Sequence, residues 1–406
     1  MGTIPTHTVF RQCFHWLNVH YHDLFSDRYA KKLHIGNTIL LFLEATMNGR
    51  RSVEEIATNL RSKKWLQQAV QLESIHPSSL NRKLQTVPLD VLKVIYAALV
   101  QQIASHYALK SGVGNLGKLR AIDSTEISLP KVHGEWAYVS KSQNAVKMHA
   151  SLLIAADHHV CADRIVLSTA EIADLNTEVV LALVGDPTET LIMDRGYINY
   201  AHFLAWVKAG QPFVARLRAD NKCRILHKRE VEADSPICLD ADVEMVDSNS
   251  GEAFNVRLVE YEAVDSRTKK RIRIRVITTR FDLTAKEISE IYRCRWKVEL
   301  FFKWLKQHVK LEKLYSFKPA AVWNQIYLSL IAHALCELIR LTEQPKGSCW
   351  RLLRYLNAYA GETVEDLMTA LERTPSRTSR GRRKKRKRGR PRKHPKKLKQ
   401  AQIIIK

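Results

Sequence analysis

Four polar residues whose types can bind phosphate or metal recur at helical spacing in one segment. Tyr292, Arg295, Glu299 and Lys306 lie at offsets of 0, 3, 7 and 14 residues. At about 100° per residue, they fall within an arc of roughly 60° on a helical wheel. A carboxylate can bind a metal ion, while a phenol, a guanidinium and an ammonium group can contact phosphate oxygens. The spacing therefore predicts a helix face that holds phosphates around a metal-binding glutamate.

A solvated helix face is the simpler interpretation, because charges along a helix usually face water. The other residues of this helix argue against it. One flank carries a stripe suited to burial in a core, formed by Ile291, Val298, Phe302, Leu305 and Val309. Trp296 and Leu300 lie on the other flank, so the polar arc is expected to line a groove. Thr284 and Glu287 have the spacing of a capping box at the start of the helix.

Two aspartates lie in or directly after apolar strand patterns. Asp123 lies within a strand pattern over residues 119–129, and Asp194 ends the apolar run 190–193. An isolated strand-end aspartate often only caps a loop, but a buried one is costly unless it is paired or binds metal. Together with Glu299 they form a three-carboxylate set that suits Mg²⁺. Two such ions about 3.5–4 Å apart would suit phosphodiester chemistry.

The charge distribution indicates a polyanionic partner. The net charge is +24, and residues 373–406 carry 17 Lys and Arg with no Asp or Glu, which leaves only +7 for the rest. A mildly basic body with an intensely basic tail points first to nucleic acid. The tail lacks apolar periodicity, so we expect it to be disordered when free.

Composition also limits the compartment. The seven cysteines are scattered without a CxxC pair, which argues against a zinc ribbon or a disulfide framework and fits a reducing cytosol. No signal-peptide pattern opens the chain, and the apolar stretch near residues 326–334 is interrupted by His333 and then Glu337. We therefore expect a soluble, cytoplasmic, nucleoid-associated protein.

Periodicity predicts a helical first part followed by a mixed α/β part. Helices are predicted at 37–45, 53–60, 66–72, 80–84, 91–103, 175–184, 200–209, 285–311 and 322–341. Strands are predicted at 118–129, 147–155, 160–169, 190–193, 212–217, 222–226, 256–261 and 271–278. Ser79 is the predicted cap of the helix at 80–84, which carries basic residues. A helix-turn-helix that binds DNA and a plain helical bundle are equally compatible with this first part.

The catalytic motifs resemble those of a known family. Asp123 in AIDST, Asp194 in MDRGY and the Tyr-x2-Arg-x3-Glu-x6-Lys spacing of Tyr292–Lys306 resemble the signature of bacterial insertion-sequence DDE transposases that carry a β-rich insertion. The resemblance covers roughly residues 115–345. It implies an α/β fold with an RNase H-like mixed sheet and flanking helices, interrupted by a β-rich insertion and preceded by a helical N-terminal domain.

The resemblance also implies roles for individual residues. Asp123, Asp194 and Glu299 would be the catalytic metal ligands, binding two Mg²⁺ ions, with Mn²⁺ as a substitute. Tyr292, Arg295 and Lys306 would contact the DNA. The partners would be double-stranded DNA, as transposon ends and target, and a second copy of the chain in a synaptic complex. Relatives often pass through a DNA hairpin and hold a flipped base on an insertion Trp, but this chain has no Trp between Trp206 and Trp296.

Five regions are predicted along the chain. Residues 1–115 form a helical DNA-binding domain, and 116–217 form the first part of the catalytic domain. Residues 218–276 form the β-rich insertion, and 277–345 complete the catalytic domain with the signature helix. Residues 346–406 form a helical segment and the basic tail.

Several alternatives remain open at this stage. Residues 388–392 read Arg-Gly-Arg-Pro-Arg, like the core of an AT-hook, so Arg388, Arg390 and Arg392 are candidate minor-groove contacts. General attraction to phosphates is the alternative for this tail. The chain itself is expected to be a cut-and-paste DNA transposase. The alternatives are a structure-selective DNA nuclease on the same fold and a non-catalytic architectural DNA-binding protein.

Overall fold

The computed structural model describes residues 8–10, 27, 30–108, 112–156, 159–264, 268–345 and 347–373. In these ranges the α-helices are α1 (Ile35–Met47), α2 (Val53–Ser62), α3 (Lys64–Val70), α4 (Pro77–Thr86), α5 (Leu89–Ala108), α6 (Thr177–Leu183), α7 (Tyr200–Ala209), α8 (Ala285–Cys294), α9 (Trp296–His308), α10 (Pro319–Thr342), α11 (Cys349–Ala358) and α12 (Val364–Glu372). The strands are β1 (Leu119–Leu129), β2 (Tyr138–Ser140), β3 (Gln143–Ala156), β4 (His159–Thr169), β5 (Thr190–Met193), β6 (Phe213–Leu217), β7 (Arg224–Lys228), β8 (Ile237–Val246), β9 (Ala253–Val264) and β10 (Arg271–Thr278).

The strands form one mixed sheet in the order β2-β3-β1-β5-β6-β10-β9-β8-β7, with β4 also paired to β3. β1 runs antiparallel to β3 and parallel to β5, which in turn runs parallel to β6. Parallel neighbours need a crossover between them, and α7 provides it between β5 and β6. This confirms the expected RNase H-like mixed sheet with flanking helices.

The β-rich insertion extends this sheet at one edge. β10 pairs antiparallel with both β6 and β9, and β8 and β7 follow outward. β8 has no counterpart among the predicted strands, and neither does the short β2. In β8 the acidic residues Asp240, Asp242 and Glu244 alternate with buried apolar residues, whereas every residue of the edge strand β7 is exposed.

The predicted helices of the first 115 residues are present as α1 to α5. The prediction that Ser79 caps α4 is wrong. The N-cap is His76, whose ring nitrogen accepts a hydrogen bond from the Ser78 N–H at 3.2 Å. Pro77 is the first residue of the helix, a position whose N–H has no acceptor within the helix, so proline costs no hydrogen bond there. The helix therefore begins three residues before the predicted segment.

Long helix α10 holds the helical part and the sheet together. Its Asn324 side chain is fully buried and donates to the Leu84 and Val87 carbonyls at 2.8 and 2.9 Å, which fixes α10 to the end of α4. Among the described helices, α10 is long and apolar enough to cross a membrane, but 83% of its apolar window is buried inside the protein. It is a core helix, and the helical part shares its core with the sheet.

The two faces of the sheet carry different helices. Ala121 and Ile192 lie in the core that includes α8, α9 and α10, whereas Ile122 and Leu191 lie in the core that includes α6 and α7. Because strand side chains alternate between faces, this assigns each residue of β1 and β5 to a side. We call the α9 side the front face and the α6 side the back face.

Candidate active site

Asp123 and Asp194 are neighbours on adjacent parallel strands. Arg120 pairs with Leu191 and Ala121 with Ile192 across β1 and β5. Continuing this register by two residues brings Asp123 level with Asp194, which follows β5 directly in extended conformation (φ −86°, ψ −176°). Since Ala121 and Ile192 face the front, alternation directs both aspartates to the front face as well.

The signature segment is not one continuous helix, so the predicted single helix at 285–311 is wrong. α8 ends at Cys294 and α9 begins at Trp296, with Arg295 between them. The Arg295 N–H bonds to the Tyr292 carbonyl at 3.1 Å, and the Val298 N–H bonds to the Arg295 carbonyl at 3.0 Å. These three-residue bonds tighten the junction. Arg295 keeps right-handed helical angles (φ −53°, ψ −34°), so Arg295 and Glu299 still lie one turn apart.

Arg295 bridges two of the three predicted carboxylates. Its Nη1 lies 3.2 Å from Asp123 Oδ2, and its Nη2 lies 2.5 Å from Glu299 Oε1. Burial alone would lower the pKa of this guanidinium, but Tyr292, Glu299 and Asp123 together raise it. Its Nε is buried without a hydrogen-bond partner among the described residues. Arg295 thus connects the α8–α9 junction to β1 through Asp123, while its Nε–H makes no hydrogen bond to a described residue.

The environment of Asp123 disfavours the ionised form of its carboxyl group. Burial raises the pKa of its carboxyl group to about 6, against a lowering by the Ser124 backbone N–H and a further rise from Asp194. The charge of Arg295 lowers this pKa, and that of Glu299 raises it. A carboxylate that is repelled by its neighbours and poorly hydrated is one that a cation would stabilise.

A cavity of about 480 Å³ opens beside Asp123 and Glu299. Lys303, Lys306 and Glu312 also line it, so ammonium and carboxylate groups share its edge. The Lys306 Nζ donates to the Glu126 carbonyl at 3.1 Å and lies 3.3 Å from Glu312. A phosphate in this cavity would have both ammonium groups and carboxylates among its neighbours.

Tyr292 lies behind Arg295 instead of at the cavity surface. Its side chain is buried, and its ring centroid lies 5.9 Å from the Arg295 guanidinium carbon. Burial raises the pKa of the phenol, and the positive charges of Arg295 and Arg216 oppose this. Tyr292 therefore supports the guanidinium in this structure, and its contact with DNA stays a prediction.

The donor set fits a divalent cation in chemical type, because carboxylate oxygens are the ligands that hard cations prefer. Among the described residues, however, no three His, Cys, Asp or Glu side chains lie close enough together to hold a metal ion. Arg295 neutralises Asp123 and Glu299 in this arrangement. Metal binding by Asp123, Asp194 and Glu299 stays a prediction that requires the carboxylates to draw together.

Other sequence predictions have mixed outcomes. The apolar stripe of the signature segment is buried as predicted, comprising Ile291, Val298, Phe302, Leu305 and Val309. Trp296 and Leu300 do not help to enclose a groove, since they are 49% and 48% exposed. The insertion, which has no Trp, has the aromatic residues Phe254 and Tyr261, and both are buried in the core. The basic tail with Arg388, Arg390 and Arg392 lies outside the described residues.

Asp174 is the carboxylate near the site that sequence reasoning missed. It lies between β4 and α6, accepts a hydrogen bond from Ser124 Oγ at 2.7 Å, and lies 3.3 Å from Lys147 Nζ. His149 Nδ1 is 3.5 Å away, and burial lowers the pKa of that imidazole to about 4 despite the opposing effect of Asp174. His149 is therefore a neutral, buried residue on the back face. Only the strand register, which sequence does not supply, brings these residues together.

Comparisons with known proteins agree with the fold. Residues 115–335, more than half of the chain, match the Transposase DDE domain family. A protein of Geobacillus stearothermophilus, named as a transposase for insertion sequence element IS5377, is 24% identical over 65% of this chain and 67% of its own length. A protein of Sinorhizobium fredii named as a transposase is 28% identical over 54% of this chain and 60% of its own length.

A third relative matches over a short stretch. A protein of Synechocystis, named as a transposase for insertion sequence element IS4SA, is 36% identical over 19% of this chain and 23% of its own length. The family match covers the strands that carry both aspartates and the helix that carries Glu299. The chain therefore belongs to the DDE transposase family, alongside transposases of bacterial insertion sequences.

Proposed function

We propose that this protein cleaves the ends of its own insertion sequence and joins them to target DNA. Transposases of this family act on DNA and generally use divalent metal ions. The observation that supports the finer proposal is that Asp123 and Asp194 share the front face, with Arg295 bridging Asp123 to Glu299. Asp123 and Asp194 come from neighbouring parallel strands, and Glu299 comes from the helix packed over them.

Each of these residues has a separate role in the proposal. Asp123, Asp194 and Glu299 hold divalent cations, Mg²⁺ or Mn²⁺, which when bound lower the pKa of an attacking water or 3′-OH and neutralise the leaving oxygen. Arg295 moves from its carboxylate partners to a DNA phosphate, to which a guanidinium can offer two parallel hydrogen bonds.

Lys306 and Tyr292 complete the proposed grip on the DNA end. Lys306 is about 29% exposed at the edge of the cavity, where its ammonium group can exchange Glu312 for a phosphate. Tyr292 keeps the guanidinium in place from behind. Cleavage of both strands, followed by attack of the freed 3′-OH, gives cut-and-paste transposition. A homodimer that pairs two ends, and minor-groove contacts from the tail, remain part of this proposal.

A plasmid excision assay tests the proposal. The full chain is incubated with Mg²⁺ and a supercoiled plasmid that carries the DNA bordering its gene on both sides. We expect cuts at the two borders and release of the segment between them, and the same plasmid with scrambled borders serves as the control. Cuts at DNA junctions or flaps regardless of the borders would indicate a structure-selective nuclease, and DNA binding without cuts would indicate an architectural protein.

A further inference from the structure

Asp174 links the back face of the sheet to Asp123. Ser124 follows Asp123 on β1, so its side chain points to the opposite face. Its Oγ donates to Asp174 Oδ1 at 2.7 Å, while its backbone N–H donates to Asp123 Oδ1 at 2.8 Å. One residue thus holds both carboxylates, one through its side chain and the other through its main chain.

The Asp174 carboxylate also lies near the turn that follows Asp194. The Gly196 N–H donates to Asp194 Oδ1 at 2.7 Å. A Cβ atom at Gly196 would lie 3.0 Å from Asp194 Oδ1 and 4.0 Å from Asp174 Oδ2. The Asp174 carboxylate therefore lies beside the turn that orients Asp194, without a hydrogen bond to it. This proximity is independent of the bond through Ser124.

Lys147 fixes Asp174 from the neighbouring strand β3. Its ammonium group lies 3.3 Å from Asp174 Oδ1 and donates to the Ile172 carbonyl at 3.0 Å, so it holds both the carboxylate and the main chain before it. The Lys147 side chain is only 9% exposed. A buried lysine is costly unless it is paired, and this one is paired with the segment that carries Asp174.

We propose that Asp174 is a positioning residue that sets the distance between Asp123 and Asp194 from behind the sheet. It is bonded to the segment of Asp123 through Ser124 and lies beside the turn after Asp194. Because it is on the opposite face from Asp123, it is not itself a ligand. The role rests on the proposed function, because only a reaction that needs both aspartates together would use it. Outer partners that orient metal ligands typically change metal affinity by about 10–100-fold when removed.

Mn²⁺ binding to the full-length chain, measured by calorimetry, tests this role. We expect Asp174→Ala to weaken Mn²⁺ binding by about 10–100-fold. The Mg²⁺ concentration that gives half-maximal cleavage should rise by a similar factor, with the rate at saturating Mg²⁺ largely retained. Asp174→Asn keeps an oxygen acceptor for Ser124 and should recover part of the affinity. The matched control is Glu178→Gln, an exposed carboxylate on α6 that should bind Mn²⁺ like the wild type.

The outcomes separate this role from its alternatives. A lower unfolding temperature for Asp174→Ala with unchanged Mn²⁺ affinity would mean a merely structural residue and overturn the proposal. Complete loss of Mn²⁺ binding, equal to that of Asp123→Asn, would make Asp174 a ligand and also overturn it. A wild type that does not bind Mn²⁺ refutes the positioning role, whereas one that binds Mn²⁺ without cutting DNA refutes only the proposed function.

Discussion

An Asp123→Asn chain is expected to bind the DNA ends of its element and to leave them uncut. The substitution keeps the shape of the side chain but removes the charge that would hold a divalent cation. The loss of cleavage should exceed the roughly 10–100-fold that follows the removal of an outer-shell partner. Gel electrophoresis of labelled ends measures cleavage, and a mobility shift on the same DNA measures binding.

The same substitution, which should abolish cleavage, is expected to stabilise the folded protein at neutral pH. The folded-state pKa of Asp123 is raised from 3.8 to about 6, so its ionised form is less favourable in the folded state than in the unfolded one. The cost of ionisation is absent below about pH 4 and complete above about pH 6. In metal-free buffer, Asp123→Asn should therefore unfold at the same temperature as the wild type at pH 4 and at a higher temperature at pH 7.

Glu126→Gln is the matched control for Asp123→Asn. Glu126 lies on the same strand, is exposed, and is an odd number of residues away, so it faces the back of the sheet. The Glu126→Gln variant should cleave DNA like the wild type. Normal cleavage by Asp123→Asn, or an equal loss in Glu126→Gln, would remove Asp123 from the active site.

An Arg120→Ala chain is expected to lose about 3–5 kcal/mol of unfolding free energy, the usual effect of removing one partner of a buried ion pair. Arg120 is 3% exposed and lies on β1, three residues before Asp123. Its guanidinium makes two hydrogen bonds to Asp163 of β4, at 2.6 and 2.8 Å, and one to Glu189 before β5, at 2.5 Å. Its removal leaves two carboxylates without their cation.

The segment before β5 packs directly on the Arg120 guanidinium. A Cβ atom at Gly185 would lie 2.1 Å from Arg120 Nε, so a glycine is required for the approach of this segment. Urea unfolding measures the effect, with Arg164→Ala as the control, since that arginine is exposed and follows Asp163 on β4. A loss below about 1 kcal/mol, typical of surface pairs, would show that Arg120 does not hold the strands of the two aspartates.

Local signals made much of the fold predictable. The Thr284–Glu287 capping box is present as predicted. β5 and α7 have the predicted bounds of 190–193 and 200–209, because a short apolar run and a helical pattern are each closed by turn residues. The apolar stripe around Ile291 and Val298 identified the buried side of the signature segment. In each case the determining residues lie within one or two turns of one another.

Non-local contacts account for what was missed. The break at Arg295 accompanies its bond to Asp123, which lies 172 residues earlier, and no local breaker residue marks it. Asp174 meets Lys147 only because β3 pairs with both β1 and β4. Trp296 and Leu300 are apolar but exposed, since no described element covers that side of α9. Strand register and packing partners determine these features, and they cannot be inferred from local patterns in a single sequence.

Strand transfer by a pre-cleaved end tests the central claim most directly. The wild-type chain is given a short duplex of the element end with a free 3′-OH, a supercoiled target plasmid and Mg²⁺. We predict covalent joining of the duplex to the plasmid, no joining when the end is 3′-dideoxy-terminated, and none with Glu299→Ala despite normal binding of the duplex. Nicking of the plasmid without joining, or joining that survives loss of Glu299, would contradict this account.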